Sequence, residues 1–498
     1  MLPGMRLADL AAGVPGATVE AGPDHEVSAV LYDSRRAGPG DLFVAVKGLQ
    51  SDGHDFAADA AAHGAALALM RAASLPPATP WIRVPDTRTA LAELAATLLG
   101  RPARRLLVAG VTGTDGKTTT THIAGHVIEQ SGREVGTMST VAFRLGANET
   151  HNLSGQTTVE APEVQEWLAR MVAAGVKAAV IETTSHALVQ HRVGACDFDV
   201  AAFTNVGIDH LDYHRTWDEY LAAKARLIQL CAQAAPKGVP KTAVLNRDDV
   251  SWDRLAQFEI ERRWSYAIDN QADIRALETW GDANGSRFRL LSPVGEAAVE
   301  LRLPARFNVY NALCAAGVCL ALGLSIQEVA EGLSTFRGVE GRLEPVELGQ
   351  DFKVYIDFAH SAGALTSALA ELRPFTRRRL IVVFGSTARS DHDRPGMGRA
   401  AAEAADYFVI TTDDPLDEDP AEIARDVQAG VGGRQPGRDY DIVLDRRMAI
   451  RRAVALARPG DVILLAGKGH ERSMLTAAGK EPWDERAEAE AAIRAVLR

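Results

Sequence analysis

A chain of 498 residues, 47% hydrophobic and 24% charged, has the make-up of an ordinary globular enzyme of roughly two to four domains. Its formal net charge of −11 argues against a general nucleic-acid binder, so an anionic ligand would need local cationic sites. No stretch approaches the about 18 uninterrupted apolar residues of a membrane span, and no basic N-terminal stretch leads into a long apolar run. Cys196, Cys231, Cys314 and Cys319 lack C-x-x-C spacing and read as small buried residues in a reducing compartment. The expectation is a cytoplasmic protein.

Over residues 1–98, short apolar runs alternate with turn residues. Gly38-Pro39-Gly40-Asp41 is a turn feeding a strand at Leu42-Phe43-Val44-Ala45, and the Ala-rich segment Phe56–Ala73 reads as a helix. Over residues 99–341, strands at Leu106–Val111, Ala178–Ile181, Val200–Thr204 and Thr242–Leu245 alternate with helical patterns, among them Thr119–Gln130 and Trp217–Leu230. Residues 265–305 break the alternation, and Phe288, Leu290 and Leu291 suggest antiparallel strands before a helix at Val309–Leu322. Over residues 342–498, strands at Val354–Phe358, Leu380–Phe384, Tyr407–Thr411 and Val462–Ala466 precede a closing helix at Glu485–Leu497. Such alternation predicts α/β domains with open parallel sheets: a small N-terminal α/β domain, a central domain and a Rossmann-like C-terminal domain. Ligands of such sheets sit beyond the C-terminal strand ends. Six polar motifs fall there: Gly113–Thr119, Glu182–His186, Thr204-Asn205, Asp357–His360, Asp413-Asp414 and Gly467–Glu471.

Gly110-Val111-Thr112-Gly113-Thr114-Asp115-Gly116-Lys117-Thr118-Thr119 joins a predicted strand to a predicted helix. A Gly-rich turn running into Lys-Thr at a helix N-terminus is a phosphate cradle, with Lys117 reaching the β/γ-phosphates and the Thr118 hydroxyl binding Mg²⁺. Glu182, at the tip of the next strand, is a natural Mg²⁺ ligand or a helix-capping acid. His210 and His214 have the spacing of a zinc pair, but no third ligand is evident, so oxygen-rich Mg²⁺ chemistry is favoured and His214 reads as a surface residue. Trp217, Leu221, Lys224 and Ile228 fall on one helical face. Lys224 therefore either snorkels or is a desolvated amine able to capture CO₂ as a carbamate, with two oxygens for a metal.

These motifs occur in order with Asp209-His210-Leu211-Asp212-Tyr213-His214, Phe307-Asn308-Val309-Tyr310-Asn311, Gly341-Arg342-Leu343-Glu344, Asp357-Phe358-Ala359-His360 and Gly467-Lys468-Gly469-His470-Glu471. Over nearly its whole length the chain resembles the Mur ligases, in the MurE type that adds the third peptide residue in peptidoglycan synthesis. The resemblance implies an ATP-dependent ligase that activates the D-Glu γ-carboxyl of UDP-N-acetylmuramoyl-L-Ala-D-Glu as an acyl phosphate and joins it to an amino acid, with ATP and Mg²⁺ as cofactors. It gives the three domains the roles of binding the UDP substrate, ATP and the amino acid. It implies that Gly113, Thr114, Asp115, Gly116, Lys117, Thr118 and Thr119 cradle the ATP phosphates. Thr118, Glu182, His210 and a carbamylated Lys224 would be metal ligands, with Lys117, Lys224, His210 and Glu182 catalytic. Asn308, Asn311, Arg342 and Asp357 would complete the ATP site. Ser34, Thr157, Thr158, Thr184, Gln190 and Arg192 would contact the UDP substrate, and Arg389, Asp413, Asp414, Gly467 and Glu471 the amino acid. Because the motifs are complete within one chain, a monomer is expected.

The chain departs from the family pattern at Val159, at Ser361-Ala362-Gly363 and around Arg389. The largest departure is Asp413-Asp414-Pro415-Leu416, where enzymes selecting meso-diaminopimelate typically carry Asp-Asn-Pro-Arg, the Arg pairing the distal carboxylate. Leu416 cannot form that pair, and Asp417, Glu418 and Asp419 follow. The expectation is a diamino acid with a terminal amine, L-lysine or L-ornithine. The alternatives are meso-diaminopimelate served by Arg389 or Arg394, a ligase like folylpolyglutamate synthetase, and a P-loop regulator.

Overall fold

The computed structural model describes residues 4–48, 51–71, 75–146, 148–282, 284–388 and 393–497. The chain forms two compact units. One comprises Met1–Thr279, Arg287–Leu301 and Phe307–Phe336, and the other comprises Trp280–Ser286, Arg302–Arg306 and Arg337–Arg498. Among the described residues no helix is long and apolar enough to cross a membrane.

Besides a short antiparallel pair, Met5–Arg6 with Glu26–Val27, the first unit is built on two larger sheets. The smaller has the strand order Thr18–Ala21, Trp81–Arg83, Ala66–Leu69, Asp41–Val44, Ala29–Leu31, parallel except for the first pair. Here the expected helix Phe56–Ala73 is corrected. Only Ala57–Ala62 is α-helical, and Ala66–Leu69 is a fully buried strand; Ala72 and Ala73 lie outside the described residues. Alanine's helix propensity, worth under about 1 kcal/mol per residue, yields to burial in the middle of a parallel sheet.

The larger sheet runs Asn148–His151, Ala142–Leu145, Val135–Met138, Ala178–Glu182, Leu107–Thr112, Val200–Phe203, Thr242–Asn246, Arg262–Ala267, Ile274–Asp282, Gly285–Ser292, Gly295–Leu301. Pairing is parallel from Val135–Met138 as far as Ile274, so the antiparallel stretch expected from residue 265 begins later. The last three strands follow one another through two-residue connections, a length that allows only antiparallel neighbours. The strand Leu107–Thr112 lies centrally, and its C-terminal end feeds the helix Lys117–Gln130, which starts two residues earlier than expected. The helix Trp217–Gln233 is N-capped by Thr216, whose side chain accepts from the Glu219 amide. It buries Tyr220, Leu221, Leu227, Ile228 and Cys231 in the core beneath the sheet.

The second unit is built on a six-stranded sheet in the order Glu344–Pro345, Lys353–Asp357, Val462–Ala466, Leu380–Phe384, Tyr407–Ile410, Tyr440–Ile442, parallel after the first pair. Its strands are near-continuous apolar runs because helices cover both faces. All four cysteines are buried and free, as expected.

Candidate active site

In the first unit, polar side chains converge on the turn between Leu107–Thr112 and Lys117–Gln130. Gly116 sits at φ +79°, and a Cβ there would overlap the Asn311 side-chain oxygen, so both conformation and space demand glycine. The Asn311 side-chain amide donates to the Asn308 side-chain oxygen at 3.2 Å, and both residues are buried. The turn is also held from the neighbouring strand tip. The Asp115 amide donates to Asn205 Oδ1 at 3.0 Å, and Thr204 Oγ1 donates to the Asp115 carbonyl at 2.5 Å. Lys117 Nζ donates to the carbonyls of Gly113 at 3.0 Å and Thr114 at 2.8 Å. Thr118 and Thr119 are buried in the first helical turn.

Thr118 Oγ1 donates to Glu182 Oε1 at 3.0 Å, while the amide and hydroxyl of Thr140 donate to Glu182 Oε2 at 2.9 and 3.1 Å. Glu182 is 2% exposed, and these donors are all neutral. A buried carboxylate held only by neutral donors, beside a threonine hydroxyl at a phosphate cradle, is a donor set that fits Mg²⁺.

Lys224 is 1% exposed. Its Nζ donates to the Gly113 carbonyl at 2.6 Å and lies 4.3 Å from the centroid of the Tyr220 ring, one helical turn away. Burial, and then the charge of Lys117, hold its pKa well below the ordinary lysine value, so the snorkelling alternative falls. The Tyr220 hydroxyl hydrogen-bonds with Thr114 Oγ1 at 3.2 Å, and the His210 ring lies 6.2 Å from the Tyr220 ring. His210 is in the left-handed region at φ +52° and its side chain is half exposed beside Asp209. The reading of His214 as a surface residue is corrected: it is 5% exposed and its Nε2 meets Ser185 Oγ at 2.9 Å. His186 packs 4.2 Å from Tyr213 and 4.9 Å from His210, and burial followed by His210 and His214 lowers its pKa to about 4.

A second group adjoins Glu182. Thr140 Oγ1 donates to Thr157 Oγ1 at 3.1 Å, and Thr158 Oγ1 donates to the Glu182 carbonyl at 2.8 Å and receives the Thr184 amide at 3.2 Å. Arg192 donates to the Thr158 carbonyl at 2.7 Å and to Gln190 Oε1 at 2.8 Å, and pairs with Glu160 at 3.0 Å. Thr157, Thr158, Thr184, Gln190 and Arg192 thus come together as expected of neighbours. Ser34 heads a separate turn, Ser34–Arg36, after a strand of the smaller sheet.

In the second unit, Asp413, Asp414 and Glu471 hold ligand oxygens within 4.8 Å of one another. Lys468, fully buried, lies 2.7 Å from Asp414, 2.6 Å from Glu471 and 3.7 Å from Asp413. Burial opposes the Lys468 charge, but Asp413, Glu471 and Asp414 outweigh it and raise its pKa. Burial raises Asp413 to about 6 against the pull of Lys468 and Arg446. Gly467 is at φ +112°, and a Cβ there would overlap Asp413 Oδ2. Asp357 accepts from the amides of Leu343 at 2.8 Å and Ala359 at 2.9 Å, and Arg342 lies over the Phe358 ring at 5.0 Å. Arg389 lies outside the described residues. Two members of the acidic run 417–419 have partners within the chain. Glu418 is engaged by Arg394 through two contacts of 2.6 Å, and Asp419 caps a helix by accepting from the Ala421 amide at 2.9 Å. Leu416, at φ +50°, is 38% exposed and pairs its amide with the Leu475 carbonyl. Tyr220, Thr140, Lys468 and Arg446 were not singled out from the sequence as site residues, although Tyr220 precedes Lys224 by four positions and Lys468 lies within a noted motif.

A phosphate-cradle turn, a Lys-Thr pair opening its helix and a buried acid on the neighbouring strand tip define an ATP-dependent enzyme of the P-loop class. Residues 26–98 match the description "Mur ligase family, catalytic domain", residues 111–319 "Mur ligase middle domain" and residues 341–469 "Mur ligase, glutamate ligase domain". The chain belongs to the Mur ligase family and is an ATP-dependent ligase. It is 42% identical to the UDP-N-acetylmuramyl-tripeptide synthetase of Roseiflexus sp. (strain RS-1), with 94% of each chain covered. Identity is 40% to the UDP-N-acetylmuramoyl-L-alanyl-D-glutamate–2,6-diaminopimelate ligase of Geobacillus thermodenitrificans (strain NG80-2), over 98% of this chain and 99% of the relative. A solved structure of a ligase of that second name superposes with TM-score 0.71 at 29% identity, over 99% of this chain and 100% of the other.

Proposed function

We propose that this ligase makes the UDP-muramoyl tripeptide of peptidoglycan synthesis, joining a diamino acid to the D-Glu γ-carboxyl of UDP-N-acetylmuramoyl-L-Ala-D-Glu. The carboxylate oxygen attacks the γ-phosphorus of ATP, ADP leaves, and an acyl phosphate forms. The neutral amine nitrogen then attacks the acyl carbon, the C–O bond to phosphate breaks, and the amine's extra proton is lost as the amide forms. Both reactants of the first step are anions, so Lys117 serves to offset their repulsion and align them. Thr118, Glu182, His210 and Lys224 as a carbamate would hold Mg²⁺, which when bound supplies charge neutralisation at the transferring phosphoryl group. The desolvated, low-pKa amine of Lys224 is what supports its capture of CO₂.

We assign residues 1–98 to binding the UDP end through Ser34, 99–341 to ATP and the muramoyl peptide, and 342–498 to the amino acid. The observation that carries the reading is the neutral-donor cage of Glu182 at the cradle, since a carboxylate so held suits a metal–nucleotide complex. For the amino acid, L-lysine or L-ornithine is favoured. Leu416 offers no cation, Arg394 is committed to Glu418, and Lys468 is surrounded by three carboxylates, which leaves the cluster net anionic and suited to an ammonium. A second reading, meso-diaminopimelate, is favoured by the names of full-length relatives at 40% identity. The test is phosphate release with ATP, Mg²⁺ and the UDP-muramoyl dipeptide, comparing the three amino acids. Turnover with lysine or ornithine supports the first reading, turnover with diaminopimelate alone supports the second, and no turnover with any overturns both.

A further inference from the structure

Asp413 and Gly467 follow strands that are not neighbours: Tyr407–Ile410 and Val462–Ala466 flank Leu380–Phe384 in the sheet. Strands two apart lie about 9–10 Å from each other. Yet the Asp413 carboxylate packs directly onto Gly467. The chain after Tyr407–Ile410 crosses the end of the middle strand, where Asp413 packs on Gly385, and a tie between the two outer strand ends fixes how far the crossing reaches.

Arg446 stands at that point. It opens the helix Arg446–Leu456 and its side chain is 1% exposed. Nη2 donates to the Ala466 carbonyl at 2.7 Å, and Nη1 reaches the Thr412 carbonyl at 3.5 Å. These carbonyls belong to the residues immediately before Gly467 and Asp413. On its other edge the guanidinium is gripped by Glu485, with Nε to Oε2 at 3.0 Å and Nη2 to Oε1 at 2.7 Å. Glu485 opens the helix Glu485–Val496, its side chain is fully buried, and its Oε2 also receives the Trp483 indole N–H at 2.7 Å. A planar fork with five donors in fixed directions can hold two carbonyls and a carboxylate at once, which a lysine cannot.

We propose that Arg446, locked by Glu485, is a positioning residue for the amino-acid subsite: it draws the Thr412 and Ala466 carbonyls together and so sets Asp413 against Gly467. The inference rests on the proposed placing of the amino acid at Asp413, Gly467 and Glu471. Arg446 does not itself touch the amino acid. A tie at both strand ends fixes a carboxylate to within a fraction of an ångström, and loosening it costs affinity for the ligand that carboxylate holds.

The test is steady-state kinetics of Arg446→Lys and Glu485→Gln with L-lysine, L-ornithine and meso-diaminopimelate, on variants whose thermal unfolding is cooperative. The expected result for Arg446→Lys is a KM for the amino acid about tenfold higher, with the KM for ATP within about twofold of the unaltered chain. Glu485→Gln keeps one oxygen that can accept from Arg446 Nε and Trp483 but sets an amide –NH2 against Arg446 Nη2, so it loosens the fork in place and a rise of the same selectivity is expected. An unchanged amino-acid KM in folded Arg446→Lys, or an equal rise in the KM for ATP, overturns the inference. Should Arg446→Lys not fold, Glu485→Gln is read by the same criteria. Absence of turnover by the unaltered chain with all three amino acids overturns instead the reading on which the inference rests.

Discussion

Lys224 and Lys117 donate to the same oxygen, the Gly113 carbonyl, at 2.6 and 3.0 Å. Two ammonium groups on one acceptor repel, and Lys224 is the buried one, so it is the group whose charge is disfavoured. A lysine with a lowered pKa is a neutral amine at a pH where an ordinary lysine is protonated, and only the neutral amine adds CO₂. Protein equilibrated with ¹³C-bicarbonate is therefore expected to show a carbamate carbon resonance that disappears in Lys224→Ala. Phosphate release by that variant should fall roughly a hundredfold, with partial recovery on adding acetate or propionate. A Lys224→Ala enzyme of full activity would show that the lysine is not a metal ligand.

The raised pKa of Asp413, about 6, gives the amino-acid step a pH dependence. Burial disfavours the carboxylate, so the group protonates on falling through pH 6 rather than near pH 4. Lys468, Arg446, Asp414 and Glu471 face it. On the proposed placing of the amino acid, the ionised Asp413 would hold an ammonium above that pH and the neutral acid would hold it poorly below it. The KM for the amino acid should rise by up to about tenfold for each pH unit below 6, and Asp413→Asn should raise KM and flatten the profile.

The proposed role of Glu182 as a metal ligand predicts a metal dependence. Replacing it with Gln keeps the shape and the Thr118 and Thr140 contacts but removes the charge. The Mg²⁺ concentration giving half-maximal phosphate release should rise about tenfold in Glu182→Gln. An unchanged Mg²⁺ requirement would remove Glu182 from the metal site.

What could be read from the sequence was what lies close together along it. The turn Gly113–Thr119 and its flanking strand and helix are contiguous, and the phase of Lys224 with Leu221 and Ile228 is a property of one helix, so both were legible. The strand Ala66–Leu69 was not, because alanine's local preference and its burial in a sheet point to different structures. His214 was misplaced because the residue that takes up its Nε2, Ser185, lies 29 positions away. The pairing of Glu418 could not be read, because its partner Arg394 is 24 positions upstream. Arg446 carried no signal at all, since its partners Ala466, Thr412 and Glu485 stand 20, 34 and 39 positions from it.

Asp199 is another residue whose role is visible only in three dimensions. Fully buried, it accepts from the Val108 amide at 2.8 Å and pairs with Lys237 at 2.7 Å and Lys241 at 2.9 Å. It fastens the start of the cradle strand Leu107–Thr112 at the end of the sheet opposite the site. Asp199→Asn leaves two buried ammonium groups without their carboxylate and should cost about 3–5 kcal/mol of stability in denaturant unfolding. The KM values should stay near those of the unaltered chain, and a large selective change in the KM for ATP would give Asp199 a role beyond stability.

The proposed preference for lysine or ornithine makes Leu416 the residue to exchange. Its amide is already fixed to the Leu475 carbonyl and its side chain is partly exposed, so a longer side chain can be introduced without burying it. The φ of +50° is strained for leucine and for arginine alike, so the exchange adds little backbone cost. An arginine there supplies a guanidinium that Arg394, held by Glu418 and Asp426, does not. Leu416→Arg should therefore raise kcat/KM for meso-diaminopimelate relative to L-lysine by about tenfold or more, since a carboxylate gains a charge-assisted partner and an ammonium gains a repulsive one. Equal ratios for the two chains would mean that the distal group of the substrate does not lie near residue 416. The basis of selection would then have to be sought among Asp413, Asp414 and Glu471, where Asp414→Asn, by removing one of the carboxylates that absorb the charge of Lys468, makes the same comparison from the other side of the site.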